Sequence, residues 1–382
     1  MSQITRELLD GTTGNSPLEA YPWKGCADRL IEWSKSRSPA HRAFAFDLLM
    51  SLAYIDTIPS IQNNFKAFEG LSGNYNTHLG FTNLCSPLLL ERNEWHYHKA
   101  AKPQSGAIGK LTSEIILRFT EILFDDIVSV RSIGGVGLAD AVLHHRDGRI
   151  ILCEIKASPL TTYPFLFSVD DPLLRDLKNL TRTQVQGLNS ALHLHTPEVV
   201  PLGKPSDELW PFKSAVDFFT SPENDQRVEE YVAVWTRIRE AYKNKNRNDP
   251  LYYVANASGH PPKIAKDQFD WPKKESVSDS KTSAGLDRTD DIKKGVYQTF
   301  KLGIESSLQF PHENIKTAII SNLPAYRHGE DYVEPFTDVY WGHENSFSQE
   351  TEGVYSCAKK DLKRPFDYII ALDDAFTRGD LV

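Results

Sequence analysis

The sequence has no Cys-x-x-Cys pair: its four cysteines, Cys26, Cys85, Cys153 and Cys357, are scattered over 382 residues. That spacing argues against a zinc ribbon and implies a reducing, cytoplasmic compartment. The polar start, Met-Ser-Gln-Ile-Thr-Arg-Glu, lacks the apolar stretch of a signal peptide. No run approaches the roughly 18 apolar residues of a membrane helix, so no membrane partner is expected. The sequons at Asn179 and Asn256 then carry no meaning. Internal repeats and low-complexity tracts are missing too. So is an excess of positive charge. The net charge of −8 speaks against a purely electrostatic nucleic-acid binder.

What is present is an ordinary globular composition, 40% hydrophobic and 25% charged, in a chain long enough to bury its own core. Charge is unevenly spread. Residues 236–301 hold 14 Lys and Arg against 9 Asp and Glu, a net +5 on an acidic chain. Such a segment suits either a confined DNA groove or a solvated lysine-rich loop.

Apolar spacing predicts helices over 27–34, 40–54, 107–124, 226–244 and 290–307. Asp290 or Thr289 is the expected cap of the last. Strands are expected at 127–130, 316–322 and 368–373. The stretch 70–83 and most of 157–288 read as loop. Two His-x-His pairs, His96/His98 and His193/His195, lack a third ligand of matching spacing, so satisfied or surface histidines are the expectation. The glycine run Gly134-Gly135-Val136-Gly137 precedes a strand and reads as a tight turn. The abundant Trp and Tyr are expected mostly in core or interface.

The informative segment is 137–156. Two apolar strands flank Arg146-Asp147-Gly148, a hairpin signal. A three-residue loop, with Gly148 left-handed, pairs His145 with Arg149. Asp140 then lands opposite Glu154, with Lys156 diagonal on the same face. A two-residue loop would turn Glu154 and Lys156 to the other face. In the three-residue register two carboxylates repel unless a cation lies between them. A hard divalent ion, Mg²⁺ or Mn²⁺, suits such oxygens, with the Ile155 carbonyl as a third ligand. Lys156 would orient water or balance charge. The plain alternative, a solvated hairpin, sits poorly with the continuous apolar run Ile150-Ile151-Leu152-Cys153.

Asp140 followed by Glu154-Ile155-Lys156 resembles the PD-(D/E)xK nuclease superfamily, most closely its type II restriction endonucleases, over roughly 107–156 and 290–373. Ala139 stands where many members have proline. The resemblance implies an α/β fold, with a mixed central sheet flanked by helices. It implies a nuclease core at 101–382 with an insertion at 157–288. The helical 1–100 region would serve recognition or dimerisation. It adds Glu114 as a candidate metal ligand and Lys293, Lys294 and Gln298 as candidate DNA contacts. The function implied is Mg²⁺-dependent, site-specific cleavage of double-stranded DNA by a homodimer, alongside a protecting DNA methyltransferase. A repair or junction nuclease, and a DNA-binding protein with an inactive core, are the alternatives.

Overall fold

The structure is a computed structural model and describes residues 4–63, 71–85, 95–101, 104–133, 139–268, 271–272, 275–277 and 284–373. The glycine run 134–137 lies outside them. In chain order the main elements are α1 (Lys24–Lys35), α2 (Pro39–Tyr54), β1 (Thr77–Leu79), α3 (Ser105–Leu123), β2 (Ile127–Ser132), β3 (Ala141–His145) and β4 (Ile150–Ile155). Then follow β5 (Phe165–Phe167), β6 (Ser190–His193), β7 (Val199–Gly203), α4 (Phe212–Thr220) and α5 (Asp225–Lys243). The chain closes with α6 (Thr289–Gln309), β8 (Ile315–Ser321), the hairpin β9 (Phe347–Thr351) and β10 (Val354–Cys357), and β11 (Tyr368–Ala371).

These form two units. The first comprises residues 1–17, 116–157 and 285–382. Its mixed five-stranded sheet has the order β11-β8-β4-β3-β2. β11, β8 and β4 run parallel; β3 and β2 complete the sheet antiparallel. Ile151, Leu152 and Cys153 are fully buried, as a strand covered on both faces requires. Helix α6 packs on β8 and β4. Its buried positions Ile292, Val296, Thr299, Leu302 and Ser306 recur at helical spacing. Two core clusters result, one around Ile292, Ile319 and Phe366, the other around Val142, Leu152 and Leu302. Each such side chain stabilises the fold by about 2 kcal/mol. The cap of α6 is neither Asp290 nor Thr289. Arg288 occupies that position without a side-chain cap bond, and Asp290 and Asp291 fall in the first turn, where the helix dipole favours them.

The second unit comprises residues 18–115 and 158–284. An antiparallel sheet, β7-β6-β5-β1, stands with α1, α2, α4 and α5. Asp47 on α2 is fully buried and organises this unit. Its carboxylate accepts the N–H groups of Leu160 and Thr161 and the Trp235 indole N–H at 2.8–3.2 Å.

Residues 18–100, from the expected N-terminal region, and 158–284, from the expected insertion, lie in one unit, where β1 from the first pairs with β5 from the second. Two stretches read as loop also contain strands. β1 and β5 are three residues long, and β5 is buried throughout, so neither displays the alternation that marks a strand. Pro201 interrupts the pattern of β7, which pairs on one side only.

Candidate active site

The β3–β4 hairpin sets the geometry of the site. Ala141 faces Cys153 and His144 faces Ile150. His145 N–H donates to Arg149 O, Gly148 N–H closes the turn on His145 O, and Gly148 has φ +89°. The loop is therefore Arg146-Asp147-Gly148, and Asp140 and Glu154 lie just beyond the last pair of the ladder, Ala141 with Cys153. There the backbone leaves the regular pattern. Asp140 N–H donates to Cys153 O at 2.9 Å, while its Oδ2 accepts the Ile155 N–H at 2.8 Å. One Asp140 oxygen thus caps the end of β4 and orients the carboxylate.

Glu154 is 8% exposed. Burial pushes its carboxyl above the ordinary range, and the neighbouring Asp140 charge pushes the same way; Lys156 opposes both. The Lys156 ammonium bonds Glu154 Oε1 and lies 3.3 Å from Ile155 O. The lysine therefore places its positive charge on two of the three oxygens expected to hold a metal. That is the arrangement such a donor set adopts toward a cation. Among the described residues no group of three or more His, Cys, Asp or Glu side chains forms a metal cage. Two carboxylates and a main-chain carbonyl are what this site offers, a set suited to a hydrated hard ion.

Parallel pairing fixes the site in the sheet. Glu154 faces Ile319 on β8, and Lys156 N–H donates to Ile320 O. The site therefore lies at the carboxyl end of the parallel strands, the edge where open α/β sheets place ligands. Gly295 of α6 lies beside the lysine stem; a Cβ there would sit 3.6 Å from Lys156 Cγ.

The remaining candidates have different surroundings. Glu114 belongs to the second unit, where it is buried and its Oε2 accepts the Leu18 N–H at 2.9 Å. That bond fastens a left-handed residue, since Leu18 has φ 62°. Lys293 and Lys294 are exposed on α6, Lys293 over the Tyr332 ring at 4.8 Å, and Gln298 is half-buried.

The histidine pairs lie in the second unit, where a further histidine, His78 on β1, joins them without any marker in its sequence neighbourhood. His78 and His98 meet at 4.5 Å, His193 and His195 at 5.5 Å, and all four are buried. His98 Nε2 lies 3.2 Å from His78 O. Burial holds all four below their ordinary pKa, His193 at about 4. Among the described residues they join no group of three or more candidate metal ligands.

Comparison with family models, curated proteins and solved structures finds no match to this chain. No helix among the described residues is long and apolar enough to cross a membrane.

Proposed function

We propose that the protein is a Mg²⁺-dependent endonuclease of the type II restriction class, cleaving double-stranded DNA at a specific sequence. The observation that carries this reading is the meeting of Asp140, Glu154, Lys156 and the Ile155 carbonyl at one sheet edge. Two carboxylates there are held close at the expense of a raised Glu154 pKa. Asp140 accepts the Ile155 N–H, but its place beside Glu154 also sets two carboxylates against each other, a repulsion that a bound cation would relieve.

Asp140, Glu154 and Ile155 O would hold Mg²⁺ or Mn²⁺. The ion would supply positive charge to a phosphodiester and acidify water. Asp140 keeps its orientation through the Ile155 N–H. Lys156 has a flexible stem, and its Nζ can move from Glu154 to an incoming phosphate oxygen or an attacking water. There it balances charge developing in the transition state. A homodimer on a near-palindromic site, and a methyltransferase protecting the host DNA, complete the proposal.

Digestion of long unmethylated phage DNA tests it, with Mg²⁺, with EDTA, and with a Glu154→Ala variant. Discrete Mg²⁺-dependent fragments that vanish in the variant are expected. A smear would replace sequence specificity with a structure-directed activity. Absence of cleavage with Mg²⁺ and Mn²⁺ would leave a DNA-binding protein with an inactive core.

A further inference from the structure

The positive charge of residues 236–301 has a definite place in the structure. Three of its five excess charges lie within 237–249, the end of α5 and the loop after it. This segment belongs to the second unit and carries Arg237, Arg239, Lys243, Lys245 and Arg247 against Glu240 and Asp249. Both acids are taken: Glu240 pairs with Arg239 at 2.9 Å, and Asp249 lies 4.0 Å from Arg237. Lys245 and Arg247 are exposed and have no ion pair among the described residues.

The fold does not require these two cations. The dipole of α5 favours positive charge in its last turn, where Lys243 stands. Beyond it the chain closes in a Schellman motif. Asn246 N–H donates to Ala241 O at 2.8 Å and Lys245 N–H to Tyr242 O at 3.1 Å. The carbonyls at the helix end are thus satisfied by backbone, not by a lysine ammonium. Lys245 occupies the left-handed position of the motif, with φ 50°. Glycine is the usual residue there, because any Cβ is strained. A lysine at this position costs stability and its side chain meets no acid among the described residues, so packing does not account for it.

The loop is held in one shape. Asn246 Oδ1 accepts the Asn248 N–H at 3.3 Å, Asn246 O accepts the Asp249 N–H at 3.1 Å, and the Tyr253 hydroxyl donates to Arg247 O at 3.1 Å. Residues 243–248, Lys-Asn-Lys-Asn-Arg-Asn, are all exposed and alternate cation with amide. Such a row offers charge-assisted bonds to phosphate oxygens, with neutral donors between them. It has no aromatic ring on which unpaired bases could stack, and no apolar side chain to enter a lipid surface. A duplex, whose phosphates lie outermost, fits it best.

We infer that the loop 243–248 docks the phosphate backbone of double-stranded DNA. The inference deepens the nuclease reading and rests on it. Fluorescence anisotropy of a short labelled duplex, titrated against the full chain over a range of salt in the Glu154→Ala background, tests it. Lys245→Gly and Arg247→Gln should each weaken binding several-fold. Each should also lower the slope of log affinity against log salt by about one unit. Lys213→Ala, in the same unit with its ammonium 4.0 Å from Glu208, should leave the slope unchanged. Glycine relieves the strain at 245, so Lys245→Gly should melt no lower than its parent. A lysine that served only to cap the helix would give a lower melting temperature and an unchanged slope, which overturns the inference. An unchanged slope in both loop variants also overturns it, and the nuclease reading survives if the parent chain still cuts phage DNA. A parent that neither binds nor cuts DNA removes both. Tighter binding of single-stranded DNA or duplex RNA, weakened by the same variants, would overturn the assignment to duplex DNA.

Discussion

At the residue scale the candidate site is a balance of three charges. Lys156 is the one cation that the described structure brings to the Asp140–Glu154 pair, and removing it leaves the buried Glu154 carboxylate and the half-buried Asp140 without a positive charge between them. Lys156→Met should therefore lower the cleavage rate by about 10²–10³-fold, the usual loss when one transition-state charge partner is removed. Lys156→Arg should not rescue it, since a planar guanidinium cannot reproduce a point charge on a mobile stem. Single-turnover kinetics measure both, and full activity in Lys156→Met would remove the lysine from the mechanism. The raised Glu154 pKa has a signed consequence. Folding favours the protonated form, so the contribution of this residue to stability is complete below the ordinary carboxylate pKa and lost as pH rises through its folded value. A divalent ion binds the ionised pair, so Mg²⁺ should raise the melting temperature more as pH rises through that range. A shift of equal size at every pH, or one that survives in Glu154→Gln, would show that the ion binds elsewhere. Asp140, Glu154 and Lys156 were legible in the sequence because one loop length fixes their common face. The Glu114 bond was not, since its partner Leu18 lies 96 positions away and offers only a backbone N–H.

At the scale of elements, the hairpin shows what local chemistry encodes. Gly148 has φ +89° and nothing within 4 Å of a built Cβ, so only backbone strain opposes a side chain there. Gly148→Ala should cost about 1 kcal/mol in urea unfolding while leaving cleavage intact. A loss of activity out of proportion to that cost would mean the turn holds the site through something other than register. Short buried strands carry no such local signal, and β1, β5 and β6 become strands only because they find one another. The histidines they bring together give the second unit a pH dependence. Unfolded, each takes up a proton near its ordinary pKa of 6.5; folded, burial holds all four lower. Their contribution is therefore complete above 6.5 and lost as pH falls toward the folded values. For His193 that window runs from 6.5 down to about 4. At about 1.4 kcal/mol per unit, its share of the loss reaches about 3 kcal/mol. Urea unfolding across that range should show a steep decline, shallower in His193→Leu. A flat profile would contradict neutral burial.

For the whole molecule the deciding quantity is the distribution of charge. A chain of net −8 gains nothing from its overall field when it approaches DNA. Affinity must come from cations concentrated where the duplex lies, and such contacts declare themselves through salt. Lys293 and Lys294 are exposed on α6, the helix that also carries Gly295 beside the Lys156 stem. If they contact the backbone, each neutralises one phosphate and releases about one counterion. The slope of log affinity against log salt then falls by about one unit when either becomes alanine. The Glu154→Ala background keeps the DNA uncut during the titration. A Lys293→Ala or Lys294→Ala variant with an unchanged slope would place that lysine in solvent, where its neighbour Tyr332 already accommodates Lys293. The same complexes answer the question of symmetry. A two-fold protein on a palindromic site puts two chains on each duplex, which light scattering measures directly. One chain per duplex, with cleavage retained in the parent protein, would mean that a single pair of units reads the site without a partner.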